Sequence, residues 1–363
     1  MIAGDGKARI PCHCPNPGRL IELFGYRGSD IPGARLILEK RDGGSQAKTR
    51  WTAAGIYYRD GVVPLFSARA NRAAEELLLG EIIPGLREVR PEFTLENSRF
   101  DFLCVDRRGG RHLVEVKACS LVEHGAAMFP DAPSARALKH LTELAAARDY
   151  RRHILFVVLH GEPEVFIPNL HTDPQFAAAL RTYGGEDGPV QVHASLLRCD
   201  SEGRARLIQT RLPVDLSHGK LVEADSGSYL VMLELPQAET IETGALGPLR
   251  YEAGWYLYAG SARKNLSHRV KRHLRRRKKR HWHIDYLSLH GGQIKAYPIY
   301  SCRNLECELA GALKNLGGQG IPRFGSSDCS CESHLFYFPE PPIKNPAFLE
   351  LLLRFRHLKA FEC

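Results

Sequence analysis

Nowhere do apolar residues run long enough to cross a membrane: the run Ile154–Leu159 falls far short of the ~18 residues a spanning helix needs. The N-terminus, Met1 to Pro11, lacks the apolar stretch of a secretion signal, so the expected setting is the cytoplasm. Ten cysteines in 363 residues do not make a disulfide scaffold, and without export they are expected to be reduced. No internal repeat or low-complexity tract is present, which excludes repeat arrays and long disordered arms. What remains is ordinary globular composition, with 44% hydrophobic and 25% charged residues. The length exceeds one ordinary core and implies two or three domains.

Acidic residues are missing altogether from 263–283, which holds eleven Lys and Arg and four His. Without that stretch, 39 basic residues face 41 acidic ones, so the whole excess of +9 lies there. Concentrated positive charge among aromatics and histidines suits a phosphate backbone, through counterion release, better than a solvated tail. The candidate contacts are Arg263, Lys264, Lys271, Arg272, Arg275, Arg276, Arg277, Lys278, Lys279 and Arg280. Charge alone does not separate DNA from RNA.

Residues 8–66 read as short strands broken at Pro15–Gly18, Arg41–Gly44 and Asp60–Pro64. A helix is expected from about Ala68 to Leu79, stopped by Gly80. Two strands follow, Phe100–Val105 and His112–Ala118, joined by a turn at Arg107–Gly110. Pro133 opens a helix to about Arg148, with Asp131 placed either to cap it or to join a site. Ile154–Leu159 fits a buried strand, and strand, helix, strand gives a parallel crossover; Val190–Leu197 adds a further strand. The polar segment 217–226 is the expected linker. Beyond it come strands at Ser228–Leu235 and Trp255–Ala259, a basic helix from Leu266 to Arg280, a helix at Glu306–Leu316 and a last amphipathic one at Asn345–Leu358.

Along Val114-Glu115-Val116-Lys117, Glu115 and Lys117 share one face of a strand. With Asp101 on the preceding strand they meet the needs of metal-dependent phosphodiester hydrolysis: two carboxylates for Mg²⁺ or Mn²⁺ and a lysine for charge building on phosphorus. The alternative is an amphipathic strand with a surface ion pair. A hairpin centred between Arg108 and Gly109 puts Asp101 on the wrong face, whereas an odd loop centred on Arg108 puts it opposite Glu115. Arg136, Lys139 and His140 lie within one helical turn, facing either phosphate or solvent.

From about Ala8 to Leu216 the chain resembles the sugar fermentation stimulation protein A family. The resemblance is carried by CPNPGRL (14–20), ANRAAEELL (70–78), NSRFDFL (97–103), LVEVKACSLVEHGAAMFPDAPSARALKHL (113–141) and ILFVVLHG (154–161). It implies an OB-like β-barrel over 1–66, a PD-(D/E)xK nuclease-like α/β domain over 67–216, and DNA binding. It places the acidic motif on Asp101, Glu115 and Lys117 and the helix-borne acid on Glu76, with Glu75 almost equal. The family usually carries a further strand ahead of CPNPGRL, so the barrel is expected to be shortened; it also often has Gln where this chain has Leu138.

A second constellation lies downstream. Tyr229 opens one strand, Tyr258 ends another, Arg269 and His273 share a helix face, and Glu306 and Glu308 begin a later helix. A tyrosine can orient or deprotonate water, an arginine can stabilise phosphoryl oxygens, and one glutamate can hold a metal ion. Taken singly, strand tyrosines are usually core and a helix glutamate is usually solvated. Residues 227–338 resemble the GIY-YIG nuclease superfamily, and more closely a small GIY-YIG-like family of unassigned function. The matching segments are YLYAGSA (256–262), HWHIDYL (281–287), ECELA (306–310) and FGSSDCSCESHLFYF (324–338). GSY stands for GIY and YAG for YIG, and the catalytic roles fall on Tyr229, Tyr258, Arg269 and Glu306 or Glu308 by analogy. Cys329, Cys331 and His334, with Cys307 as a fourth, are candidate Zn²⁺ ligands; the spacing departs from the usual paired pattern, and packed thiols are the alternative.

The expected protein is thus an α/β and α+β multidomain chain: 1–66, 67–216, a linker at 217–226, a GIY-YIG-like domain over 227–340 and a helical tail over 341–363. The expected function is DNA binding with metal-dependent phosphodiester cleavage. The alternative is a non-catalytic DNA-binding regulator of sugar-utilisation genes that retains nuclease folds.

Overall fold

A computed structural model describes residues 2–4, 9–16, 20, 23, 35–41, 48–58, 61–66, 69–96 and 98–362. The chain divides into two compact units, 1–219 and 220–363. Parts of the expected turns (17–18, 42–44 and 60), the helix start at Ala68, and positions 17–19 and 97 of the family segments lie outside the described residues.

The first unit is built on an eleven-stranded sheet. Toward one edge of it lies the hairpin Ser98–Asp106 and Arg111–Cys119, with Leu86–Leu95 as the edge strand. Helix Ala135–Ala146 then crosses to Arg151–Val158, which runs parallel to the second hairpin strand with Ile154 beside Glu115. After helix Pro174–Gly184, strand Val190–Cys199 adds on in parallel. Within strand Arg151–Val158, the part from Ile154 on reads as a continuous apolar run because both its faces are covered. Ile154, Phe156 and Val158 meet Leu141, Leu144 and Phe176 on one side, while Leu155 and Val157 meet Ala70, Ala74 and Leu78 on the other.

Two local expectations are corrected. Gly80 does not end the first helix: Arg69–Leu77 is followed directly by a helical turn, Leu79–Ile82, that contains it. Nor is Asp131 the cap of the crossover helix. Ser134 is, its Oγ accepting the Ala137 N–H at 3.1 Å, while Asp131 accepts the Leu20 N–H at 3.2 Å.

N-terminal strands Arg35–Lys40, Trp51–Tyr58 and Gly61–Pro64 join this sheet through the pair Val62↔Cys199. Ile2–Gly4 pairs with Arg9–His13, so a strand does precede the CPNPGRL segment. Among the described residues the pairings form an open path, not a ring.

The second unit is a five-stranded sheet in the order Ile294–Tyr300, Gly227–Leu235, Gly254–Ala262, Leu335–Phe338, Gln319–Gly320. Helices Leu266–Leu274, Glu306–Asn315 and Pro346–His357 accompany it. The basic helix is shorter than expected, since the chain turns extended at Arg275 (φ −73°, ψ 133°). Segment 217–226 is not extended: it holds a 3₁₀ turn, Ser217–Gly219, and a short helix, Lys220–Ala224. Eight described cysteines lie outside any disulfide, whereas Cys302 is disulfide-bonded, against the expectation of a fully reduced set. No helix of the described residues is long and apolar enough to cross a membrane.

A file of imidazoles ties three neighbouring strands of the first unit together. His112 Nδ1 meets His153 Nε2 at 2.9 Å, and His153 Nδ1 meets His193 Nε2 at 3.1 Å. Burial pushes His153 down to about 3 and His193 down to about 4. Both stay neutral when folded over a range in which the unfolded chain takes up protons, so stability must fall as pH drops below about 6.5. His153→Gln is expected to reduce that slope by up to about 1.4 kcal/mol per pH unit, measured from urea-unfolding midpoints between pH 6.5 and 4.5; an unchanged slope contradicts it.

Candidate functional site

The hairpin pairs Val105↔Arg111 through Phe102↔Val114, a register centred on Arg108. The odd-loop condition is met, and continuing the register by one residue sets Asp101 across from Glu115. Beyond Phe102↔Val114 a side chain takes over from the backbone: the Val116 N–H donates to Asp101 Oδ2 at 2.7 Å. Asn71, on the first helix, donates to Asp101 Oδ1 at 2.6 Å.

Glu115 is 2% exposed. Its Oε1 accepts from Lys117 Nζ and meets His140 Nδ1 at 2.7 Å, whereas Oε2 is buried with no hydrogen-bond partner among the described residues. Burial pushes the Glu115 carboxyl up, but His140 and Lys117 outweigh it and leave it below the usual range. Asp101 goes the other way: burial and the neighbouring Glu115 charge hold it above the ordinary value, opposed by the Val116 N–H, Lys117 and Asn71. Two adjacent carboxylates with opposite shifts, one keeping an unused oxygen, form a centre suited to a hard cation.

The helices contribute differently from expectation. Glu76 is exposed and pairs with Arg72 at 2.7 Å, outside the cluster. Asn71 is the helix residue that reaches the site. Glu75 lies about 40° from it around the helix and Glu76 about 140°, given 100° per residue. On the crossover helix, Arg136 and Lys139 are exposed, but His140 turns inward with Ala137, Leu141 and Leu144. The three do not share one phosphate-facing surface. The helical spacing of Ala137, Leu141 and Leu144 carries the signal that His140 is on the buried side.

In the second unit Tyr229, Tyr258, His273, Arg269 and Glu306 converge. Tyr229 and Tyr258 ring centroids lie 6.3 Å apart, and Tyr229 Oη meets His273 Nε2 at 3.0 Å. Arg269 donates to the Ser261 carbonyl at 2.6 Å, and the Ser261 hydroxyl donates to Glu306 Oε2. Burial, then the tyrosine neighbour and Glu306, push Tyr258 well above its usual value; burial raises Tyr229 too, against the pull of Arg269. Burial holds His273 down at about 3, so it is neutral beside the Tyr229 hydroxyl. Of the two helix glutamates, Glu306 is in this cluster, whereas Glu308 pairs with Arg303 and is more than a third exposed. Beside Glu306, one ligand atom from each of Cys307, Cys329, Cys331 and His334 lies within 4.8 Å of the others.

Part of the basic run is engaged internally. Asp285, 0% exposed, binds Arg272 through both oxygens at 3.1 and 2.7 Å and Lys278 at 3.5 Å. Arg276 donates to the Gly291 and Gly292 carbonyls, and Arg280 lies over Tyr286. Arg263, Lys264, Lys271, Arg275, Arg277 and Lys279 are exposed. Asp285 lies just beyond 283, so the charge of the segment alone gives no sign of it.

Residues 68–203 match the family model described as "Sugar fermentation stimulation protein RE domain", and 228–355 match "Domain of unknown function DUF123". A sugar fermentation stimulation protein homolog of Clostridium botulinum is 37% identical over 182 residues, 49% of this chain and 76% of that protein. One from Pyrobaculum neutrophilum is 38% identical over 219 residues, 59% of this chain and 88% of that one. The chain belongs to the sugar fermentation stimulation protein family. It carries in addition a C-terminal GIY-YIG-like domain of unknown function. The solved structure of the Pyrococcus furiosus family member, in complex with Ca²⁺, superposes with a TM-score of 0.51 at 27% identity, covering 59% of this chain and 89% of that one.

The family match spans Asn71, Asp101, Glu115, Lys117 and His140; the C-terminal match spans the tyrosine cluster, the basic run and the Cys/His group. Because Arg272 and Lys278 are turned onto Asp285 while Arg275, Arg277 and Lys279 are exposed, changing Arg275, Arg277 and Lys279 to Gln is expected to flatten the salt dependence of duplex binding. The log–log slope should fall by about 0.9 for each phosphate no longer neutralised. An unchanged slope places the contact surface elsewhere.

Proposed function

We propose that this family member binds DNA and hydrolyses its phosphodiester bonds with a divalent cation, Mg²⁺ or Mn²⁺, at Asp101, Glu115 and Lys117. The supporting observation is the buried, partnerless Glu115 Oε2 beside a second carboxylate. A buried carboxylate oxygen left without a donor is costly unless a ligand completes it. The Ca²⁺ of the Pyrococcus furiosus relative favours the same class of hard, oxygen-seeking ion. On this reading 67–216 is a PD-(D/E)xK-like domain behind an OB-like N-terminal segment, and 227–340 is a GIY-YIG-like one.

Asp101 and Glu115 would hold the ion. When bound, it supplies an activated water and neutralises phosphate charge. Lys117 places an ammonium beside the same carboxylate, suited to charge growing on phosphorus. His140 acts as a positioning residue by fixing Glu115 Oε1. In the second unit, buried Tyr229 and Tyr258 remain protonated, so they serve a second candidate centre by orienting water, not by removing its proton. Arg269 is its phosphate-directed cation, with the basic surface gripping backbone without reading bases.

Asp101→Asn is expected to lower Mg²⁺- or Mn²⁺-dependent cleavage by the first unit on the order of 100-fold or more, while duplex affinity stays within about twofold. A wild-type chain that shifts a DNA band and leaves the strands intact under either ion contradicts hydrolysis and favours a binding protein. His140→Ala is expected to weaken cation affinity about 10–100-fold, read by calorimetric titration; unchanged affinity removes its positioning role.

A further inference from the structure

We infer that Cys307, Cys329, Cys331 and His334 form a tetrahedral Zn²⁺ site whose histidine is oriented by Glu306. The metal and the glutamate of the second candidate centre then belong to one connected assembly. The inference stands whether or not either unit cleaves nucleic acid.

The geometry is close to what zinc requires. Zn–S bonds of about 2.3 Å and Zn–N bonds of about 2.0–2.1 Å in a tetrahedron set ligand separations of roughly 3.4–3.8 Å. Here His334 Nε2 lies 3.3 Å from Cys329 Sγ and 4.0 Å from Cys307 Sγ, and all four ligand atoms fall within 4.8 Å of one another. All three cysteines are free thiols, and none is buried: Cys307 is exposed and the other two are half-buried. Thiols packed as small apolar groups belong in the core. A cluster of three at the surface, all turned toward one imidazole, is better explained by a common ligand.

The chain explains why the spacing looks unlike a zinc motif. Three ligands come from the irregular stretch between Gly320 and Leu335, and the fourth from the first turn of helix Glu306–Asn315. That stretch has no regular secondary structure; Arg323 N–H bonds the Glu332 carbonyl (2.9 Å), His334 N–H bonds the Phe324 carbonyl (2.8 Å), and Phe324 is buried. A metal would staple this irregular stretch to the helix through Cys307. Loading releases the thiol protons, so three thiolates and Zn²⁺ leave a net charge of −1 at the site.

An outer-shell partner is also present. His334 Nδ1 meets Glu306 Oε1 at 3.0 Å, which fixes the ring so that Nε2 faces the thiols. Glu306 Oε2 accepts the Ser261 hydroxyl, and the Ser261 carbonyl accepts from Arg269 at 2.6 Å. One chain of contacts thus runs from the metal ligands through Glu306 to Arg269. Glu306 is a positioning residue of the metal site.

Full-length protein purified without chelator is expected to contain about one zinc per chain by elemental analysis, lost in Cys331→Ser. A metal-free protein that takes up no Zn²⁺ on titration, iron in place of zinc, or unchanged zinc in that variant overturns the site. To guard against a variant that fails to fold, the wild type is also stripped and refilled with Co²⁺, which must give the visible bands of tetrahedral thiolate coordination; their absence overturns it equally. In chelator competition, Glu306→Gln is expected to bind zinc about 10–100-fold more weakly and Glu308→Gln as tightly as wild type. Equal affinity in the two variants overturns the role given to Glu306.

Discussion

Everything proposed for the first unit depends on the length of one turn. Asp106 accepts the backbone N–H groups of Arg108 and Gly110, both at 2.8 Å, and Gly109 sits at φ +80°. A Cβ at Gly110 would come within 2.6 Å of Asp106 Oδ2. The loop therefore closes on three residues with the third left-handed, a standard three-residue hairpin connection. That odd length sets Asp101 across from Glu115 and turns Glu115 toward His140. A slip of one residue would send the carboxylate and lysine to the opposite face and place valines in the site.

Buried carboxylates recur in both units, and what completes them separates scaffold from site. Asp285 is saturated, with Arg272, Lys278 and the N–H groups of His281 and Trp282 around its two oxygens. Its carboxyl lies below the usual range despite the upward push of burial, and it holds the end of the basic segment in place. Glu115 is nearly as deeply buried, but its partners crowd onto one oxygen and leave the other without one among the described residues. Fully paired buried charge is structural; half-paired buried charge points to a missing ligand.

The hairpin, the crossover and the two-residue spacing of Glu115 and Lys117 are legible in the sequence because strand periodicity and turn chemistry are local. The parity condition can be stated from sequence, but not which loop forms. His140 is easily misplaced because three polar residues in one helical turn look like a surface, although Ala137, Leu141 and Leu144 mark the inward face. Asn71 gives no signal, since a neutral amide supporting an acid has no spacing rule. The choice between Glu306 and Glu308 stays open in the sequence because residues two apart on a helix face different ways, and only tertiary contact with Ser261 and His334 decides it. The basic run looks wholly available because its counter-acid, Asp285, lies outside it in sequence and inside it in space.

The central claim is that Glu115 and Asp101 together hold a divalent cation, and the most direct measurement is anomalous diffraction from crystals of the full-length protein grown with Mn²⁺. The account predicts a peak within roughly 2.0–2.6 Å of Glu115 Oε2 and of an Asp101 oxygen, the range of hard cations on oxygen ligands. A well-ordered site without that peak, or manganese bound only elsewhere, would contradict it.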